Sequence, residues 1–365
     1  MKVEFIDLKA RYKDEKDQLN KIFNEVLESG QLILSDENKN LEKNISEYLN
    51  TKYCVTLNSG TDALLMALWA LKIGKGDEVI TPAVSFIATA AAIDHVGAKP
   101  VFVDVNEELN IDIEKIEEKI NDNTKAIIPV HWTGKMCNME AIKNIAQKYN
   151  LKIIEDAAQA IGSELDNKKP GYYSDVATFS THPLKILNGI GDGGFLITND
   201  KEAYDKINKY RNHGIIARDN YEFYGVNSRM DALSAGVVNY RLGKTKSVIE
   251  KRKHNIDLYK KNIKTKNFKF IKHKKDEIES HTMFVSFAEN RDGLQKYLSE
   301  HHVQSLIYYG TPLHLQNASK KHGYKKGDYP VAEYFCDRVI SLPFHQYLKE
   351  EEILLVSELV NKYYL

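Results

Sequence analysis

The sequence predicts an α/β protein with a parallel sheet covered by helices, on two observations. Between residues 53 and 157 short runs and helical patterns alternate, and the short runs are aliphatic throughout rather than alternating with polar residues. Strands buried on both faces by crossover helices read in this way. A chain of 365 residues exceeds one simple core and suits a large domain with a smaller one beside it.

Strand-like VEFIDL opens the chain, and Leu19, Ile22, Phe23, Val26 and Leu27 give residues 11–29 one apolar helical face that closes at Gly30. A second helix covers 37–50. YCVTL (53–57) then reads as a short buried strand, followed by the turn Asn58-Ser59-Gly60-Thr61-Asp62 and the apolar helix ALLMALWALKIG. Further strands fall at 78–82, 99–105, 125–132 and 152–157, with helices at SFIATAAAIDHVG, 112–120 and 139–150 between them. Two more short strands, 176–179 and 195–198, enclose a loop whose glycines, Gly189, Gly191, Gly193 and Gly194, read as sharp turns. A helix over 201–212 leads to an irregular Tyr- and Asn-rich stretch at 217–231 that suggests a loop folded against something. The Lys- and Arg-rich helical pattern from 235 to 262 reads as a connector with a solvated face. Strands near 267–271, 282–288 and 305–309, with helices near 291–301, 330–338 and 350–363, suit a small α+β unit. The division expected is therefore a large domain over 1–240 and a smaller one over 241–365.

Lys plus Arg number 51 and Asp plus Glu number 51, so no broad basic field invites nucleic acid. Cys54, Cys137 and Cys336 are widely spaced and form no CxxC. Neither a disulfide framework nor a zinc site is suggested, and reduced thiols in a cytoplasm are expected. The N-terminus has no apolar core of signal-peptide length and no long apolar run follows, so no membrane segment is expected.

Ligands of parallel sheets bind beyond the carboxyl ends of the strands, where three groups fall: Ser59-Gly60-Thr61, the Phe86 region, and Asp156 with Gln159. Backbone N–H groups of Gly60, Thr61 and Asp62 at a helix N-terminus favour a phosphate, while a Ser or Thr there also serves as an N-cap. Asp156 ends an aliphatic run, where a carboxylate needs a cationic partner; capping or an ordinary ion pair is the alternative. Phe86 reads as a core ring or a stacking platform, and Gln159 as a backbone hydrogen-bonder or a ligand. Lys185 lies between the two short strands, flanked by Leu184, Ile186 and Leu187. Partial desolvation there lowers a lysine pKa and frees the amine for Schiff-base chemistry, against the default of a solvated charge. A nucleophilic lysine, a strand-end carboxylate, a phosphate-binding helix N-terminus and an aromatic ring are together what pyridoxal 5′-phosphate asks of a protein. Ser180, five residues before Lys185, is close enough in sequence to be expected at the same phosphate.

FIDLKARY, NSGTDALLMAL, GDEVITPAVSFIATAAAI, GAKPVFVDV, TKAIIPVH, IIEDAAQAIGS, the FSTHPLK-to-GDGGFLITND block, RNHG, NSRMDAL, TPLHLQ and SLPFHQYL follow one another along nearly the whole chain. In these motifs the chain resembles the DegT-type nucleotide-sugar aminotransferases, a branch of the fold type I pyridoxal-phosphate enzymes related to aspartate aminotransferase. The resemblance implies a large domain with a mostly parallel seven-stranded sheet and a smaller C-terminal α+β domain. It implies that Lys185 holds the cofactor covalently and later shuttles a proton, that Asp156 partners the ring nitrogen, and that Gln159 lies beside the ring's 3-oxygen. Phe86 matches the ring-stacking aromatic, and Gly60, Thr61 and Ser180 match the phosphate ligands. Asn227 matches a residue that reaches the phosphate from the neighbouring subunit, which implies a homodimer with shared sites. Tyr309 and His314 match positions lining the sugar pocket. The implied reaction moves an amino group from L-glutamate to a nucleotide-linked keto-sugar, in amino-sugar biosynthesis.

Two segments depart from the family's commoner pattern near the expected sugar pocket: Thr181-His182-Pro183, and WTGKMC at 132–137. They leave the sugar and the aminated carbon open. Lys185 separates the chain from related dehydratases that carry histidine at that position. A dinucleotide-dependent oxidoreductase would need GxGxxG directly after the first strand, where this chain has NSGTD. A non-catalytic regulator on the same fold is disfavoured by the zero net charge and the absence of a helix-turn-helix pattern.

Overall fold

Covered by helices on both faces, the aliphatic runs pair into a single seven-stranded sheet. The computed structural model describes residues 2–271 and 277–365. The strands are β1 (Tyr53–Leu57), β2 (Glu78–Pro82), β3 (Lys99–Val103), β4 (Thr124–Ile127), β5 (Lys152–Asp156), β6 (Val176–Ser180) and β7 (Gly194–Thr198), in the spatial order β1-β7-β6-β5-β4-β2-β3. Pairing is parallel from β3 through β2, β4 and β5 to β6. β7 runs antiparallel to both β6 and β1. In β1, β2, β3 and β5 every residue after the first is buried, which is why no period of two shows in the sequence.

The helices follow from their own patterns. α1 (Leu8–Ser29) and α2 (Asp36–Leu49) bury one stripe each. α3 (Gly60–Ala70) is apolar on almost every side and buries Ala63, Leu64, Met66, Ala67, Leu68 and Ala70, as a helix sunk into a core must. α4 (Ile87–His95), α5 (Met139–Lys148) and α6 (Lys201–Tyr210) complete the covering layers, and α7 (Ala232–Leu242) and α8 (Thr245–Asn262) lead away from them. Beyond lie a three-stranded antiparallel sheet, β8 (Phe268–Phe270), β9 (Val285–Ala288) and β10 (Val339–Ser341), and the helices α9 (Arg291–Glu300), α10 (Pro330–Cys336) and α11 (Glu350–Tyr363). Their apolar cluster takes in Tyr259, Phe284, Leu294, Ile340 and Val356, and also Val3 and Phe5 from the start of the chain.

Several expectations are corrected. VEFIDL forms no strand: Val3 makes one isolated bridge to Val303, because its apolar residues are used in packing and not in a ladder. Residues 112–120 form two 3₁₀ turns, Ile113–Lys115 and Glu117–Lys119, a geometry that aligns residues three apart and suits the Ile113 and Ile116 pair. The 235–262 pattern is two helices, α7 and α8, interrupted at Gly243, where Arg241 is tied to Glu15 and to the carbonyls of Asn188 and Gly189. At 305–309 a single bridge, Leu306 to Ser341, replaces the expected strand, and its partner segment is β10. The three cysteines are free and buried, and among the described residues no helix is long and apolar enough to cross a membrane.

The glycines at 189–194 have a different reason from the one expected: none of the four has a left-handed φ. Gly194 opens β7 where its backbone presses on the start of α3, and a Cβ there would lie 2.5 Å from the Gly60 nitrogen and the Ser59 carbonyl carbon. A Cβ on Gly193 would collide with Thr181 Oγ1. At Gly194 the close approach of two backbones, and at Gly193 that of the Thr181 hydroxyl, demands the small residue, whereas Gly191 has open space around it. Gly194→Ala should therefore destabilise the protein by about 1–3 kcal/mol through overpacking, read as a lower denaturant midpoint. An unchanged midpoint would show that the two backbones can part without loss.

Candidate active site

Six strands of the large sheet point the same way, so their carboxyl ends gather on one rim, and the antiparallel β7 begins there. Ser59 after β1, Ser85 and Phe86 after β2, Asp156 ending β5 and Ser180 ending β6 all line one cavity of about 430 Å³, together with Lys185. That volume lies within the range of small-molecule sites.

At the N-terminus of α3, Ser59 Oγ accepts from the Asp62 N–H at 3.1 Å, so Ser59 is an N-cap as the structural alternative held. That leaves the Gly60 and Thr61 N–H groups as the open donors of the first turn. Gly60 is pressed against the end of β6: a Cβ would lie 2.9 Å from Ser180 Cβ and 3.3 Å from the Phe179 carbonyl. Thr61 and Ser180 flank the same space. Open backbone donors, two hydroxyls and room kept by a glycine form a cradle for a phosphate.

Asp156 is 6 % exposed. Thr89 Oγ1 donates to its Oδ2 at 2.7 Å and the Ala158 N–H to its Oδ1 at 3.2 Å. Ser85 Oγ lies 2.8 Å from Thr89 Oγ1, extending the network to the loop that carries Phe86. Burial raises the Asp156 pKa above the ordinary carboxylate value, against the pull of these hydrogen bonds and of the Lys185 charge. Such a group gains by meeting a cation in the cavity. Lys185 is half-buried, and its Nζ donates to Gln159 Oε1 at 2.8 Å. Burial lowers its pKa to about 8, with Asp156 acting in the opposite direction. The expectation of a partly desolvated amine is met in geometry, and a neutral fraction exists close to physiological pH.

Phe86 precedes α4, is 54 % exposed and reaches the cavity. Its ring centroid is 5.9 Å from that of Tyr309, which in turn stands 5.9 Å from Trp132. Tyr309 and Trp132 both line the cavity. His314 does not: it is 1 % exposed, sits in a 3₁₀ turn (Leu313–Leu315), and directs Nε2 to Glu333 Oε1 at 3.0 Å. Its ring packs against Tyr329 and meets Glu333 through Nε2, so within this chain it stands behind the cavity and not on its lining. Asn227 is exposed and also stands apart from this chain's cavity, accepting from Arg229 Nε at 2.9 Å. The 217–231 stretch around it is a pinned loop: His213 donates to the Val226 carbonyl and Val226 to that of Tyr210, and a short hairpin, Ile215–Ala217 with Asn220–Tyr221, forms its tip.

Sequence reasoning missed Thr89, Met283, Phe344, His345 and Arg252. Phe344 and His345 lie in SLPFHQYL and Met283 just before β9, far from the sheet in sequence, and no local pattern marks them. Arg252 did carry a signal, because it falls on the buried stripe Ile249, Arg252, Ile256 and Tyr259 of α8. A charge inside an apolar stripe is not a solvated face.

Known proteins share this arrangement of the whole chain. The family model described as DegT/DnrJ/EryC1/StrS aminotransferase family matches residues 13–361. A relative from Aneurinibacillus thermoaerophilus, dTDP-3-amino-3,6-dideoxy-alpha-D-galactopyranose transaminase, is 38% identical over 363 residues, covering 99% of this chain and 99% of its own. Another, from Geobacillus stearothermophilus and named pleiotropic regulatory protein, is 38% identical over 368 residues, covering 100% of this chain and 99% of its own. The crystal structure of S. venezuelae DesV in complex with a ketimine intermediate has a TM-score of 0.96 at 34% identity, across 99% of this chain and 98% of that one.

The environment of Lys185 is open to a direct measurement. In cofactor-free protein, the rate at which a small amine-reactive reagent labels Lys185, followed by peptide mass spectrometry, should rise through a midpoint near pH 8. Asp156→Asn should lower that midpoint, since Asp156 is the charge that holds it up. The unfolded chain titrates this amine nearer its ordinary 10.5 and so holds the extra proton between about 8 and 10.5. Stability contributed by this group therefore rises with pH across that window. A labelling midpoint at the ordinary lysine value would contradict the burial argument.

Proposed function

This chain belongs to the DegT/DnrJ/EryC1/StrS aminotransferase family, and we propose that it moves an amino group from L-glutamate to a nucleotide-linked keto-sugar, using pyridoxal 5′-phosphate held at Lys185. Its fold is that of the fold type I pyridoxal-phosphate enzymes, and it is an aminotransferase. The observation that carries the proposal is that Lys185, Asp156 and the open N-terminus of α3 line one cavity.

The residues fit the cofactor. The room that Gly60 leaves beside Ser180 admits a phosphate to the N–H groups of Gly60 and Thr61, and the buried Asp156 awaits a cation such as a protonated pyridine nitrogen. When bound, pyridoxal 5′-phosphate carries the amino group between donor and acceptor and draws electrons from the carbon that loses its proton. Thr89 and the Ala158 N–H hold Asp156 in place to keep that nitrogen protonated. Gln159 positions Lys185 Nζ and would hold the cofactor on that side of the cavity, while Phe86, exposed toward the cavity, would cover it from another. With its pKa near 8, Lys185 Nζ takes the proton lost by the donor's α-carbon and returns it as general acid. Tyr309 and Trp132 bound the part of the cavity assigned to the sugar.

The active unit in this reading is a homodimer in a cytoplasm, each chain comprising a large domain over 1–240 and a smaller one over 241–365. Two observations support the dimer. Asn227 is exposed and outside its own chain's cavity, on the side from which a partner's phosphate would be reached in this reading. Phe23, Leu27, Leu32 and Ile33, each about half exposed, form an apolar surface along α1 and the segment after it, of the kind that partners cover. The buried, unpaired cysteines suit a reducing compartment. A purely regulatory role, which the name of the Geobacillus relative suggests, leaves the half-buried lysine amine without a use.

Protein loaded with pyridoxal 5′-phosphate should convert L-glutamate to 2-oxoglutarate, with loss of the visible band of the lysine-bound cofactor, and borohydride should fix the cofactor on the Lys185 peptide. Lys185→Ala should still bind cofactor but fix none with borohydride, and its turnover should fall by about 10²–10⁴-fold or more, the range of a lost general acid and base. Normal turnover by Lys185→Ala would remove the assignment. Absence of the glutamate reaction in the loaded native protein would favour the regulatory reading.

A further inference from the structure

The buried arginines of this protein fall into two kinds. Arg241 holds Glu15 at 2.7 Å and Arg211 holds Glu42 at 2.6 Å. Arg11 donates to the Pro183 carbonyl and to Asn188 Oδ1, close enough to Glu15 for that carboxylate to act on it. Arg252 differs. It is 1 % exposed and lines the Lys185 cavity, yet among the described residues no carboxylate pairs with it. Its Nη1 donates to the carbonyls of His281 and Thr282 at 3.2 and 3.4 Å, the guanidinium stands 5.1 Å from the centre of the Phe344 ring, and Nε, like that of Arg11 and Arg211, has no hydrogen-bond partner. The charge acting on it is another cation, Arg11, and burial together with that charge lowers its pKa to about 9. His345 beside it is pushed down to about 4, by burial first and by Arg252 next, so it supplies no counter-charge. A buried, unpaired guanidinium is costly unless an anion enters to meet it.

The anion's carrier follows from where Arg252 stands. Thr282 Oγ1 donates to the Gln159 carbonyl at 2.6 Å, Gln159 Nε2 lies 2.9 Å from Met283 Sδ, and Gln159 Oε1 accepts from Lys185 Nζ. One short wall thus joins the guanidinium to the reactive amine. A small molecule that brings an amino group to Lys185 and a carboxylate to this wall is an amino acid, and the planar fork of a guanidinium matches a carboxylate edge to edge.

We propose that Arg252 anchors a carboxylate of the amino donor, L-glutamate, and of its product 2-oxoglutarate. The proposal rests on the transaminase reading above and assigns Arg252 to the donor and not to the diphosphate of the nucleotide-sugar. Its test uses the full chain loaded with cofactor. In Arg252→Gln, the L-glutamate concentration for half-maximal conversion in a single turnover should rise about tenfold or more, the scale of a lost charged hydrogen bond. Calorimetric affinity for glutarate, which has the carboxylates without the amine, should fall in parallel, while affinity for UDP or dTDP stays unchanged. Arg252→Lys, which keeps the charge without the fork, should fall between. An unchanged glutamate dependence, or a loss confined to the nucleotide, overturns the proposal. If Arg252→Gln does not fold, as judged by its thermal unfolding, the lysine variant and the native titration decide: native protein that binds no glutarate overturns it, and saturable glutarate binding weakened in Arg252→Lys upholds it. If the native enzyme accepts no amino donor at all, the transaminase reading itself fails. If it converts glutamate and Arg252→Gln does so at the same concentrations, only this inference fails.

Discussion

Two groups that water would keep fully charged, the Lys185 amine and the Asp156 carboxylate, stand at the dry rim of a parallel sheet, and the rest of the site is arranged around the cost of keeping them there. Burial pushes the carboxyl up and the amine down, each toward its neutral form, while their mutual attraction opposes both shifts. The outcome is an amine whose proton can move near neutral pH, beside a carboxyl held above its ordinary range. Thr89, the Ala158 N–H and Gln159 fix where the two groups point, so the balance is held by neutral hydrogen bonds and not by a salt bridge that would cancel the reactivity.

That balance depends on one irregularity in the sheet. Were β7 parallel to its neighbours, the chain between β6 and β7 would have to cross to the amino ends of the strands before re-entering the sheet, and only its first residues would lie on the carboxyl rim. Because β7 returns antiparallel, the segment from Thr181 to Gly193 stays over that rim and carries Lys185. The reversal brings the start of β7 against the start of α3, and the Gly194 and Gly60 backbones approach too closely for any side chain between them. The packing demand and the phosphate cradle are thus the same contact seen from two sides.

The far wall of the cavity comes from another part of the chain. Arg252 on α8, Met283 before β9, and Phe344 and His345 after β10 reach it, and Phe5 from the N-terminus packs with Phe344. Each of these segments belongs to the apolar cluster around Tyr259, Phe284 and Ile340 or borders it. The position of this far wall is therefore set by how that cluster packs.

Much was legible in the residues alone. Continuous aliphatic runs show that a strand is covered on both faces, and the alternation with helices sends successive strand ends to one rim, so Gly60, Phe86, Asp156 and Ser180 could be grouped without coordinates. Their bounds were legible where hydrophobic pattern and turn chemistry agree, as in β1 and α11. The pattern overreached where packing ended an element early, as at Gly243 and in the 3₁₀ turns of 113–119. The role of a polar residue was not legible, because a hydrogen bond joins residues far apart in the chain. Nothing local separates His314, closed off against Glu333, from Tyr309, which faces the cavity. What the sequence by itself determined is the sheet, its rim and the lysine loop above it, since these follow from periodicity and chain connectivity. Only the tertiary structure decided which cations stay unpaired, because whether a charge such as Arg252 meets a carboxylate depends on three-dimensional neighbours that no spacing encodes.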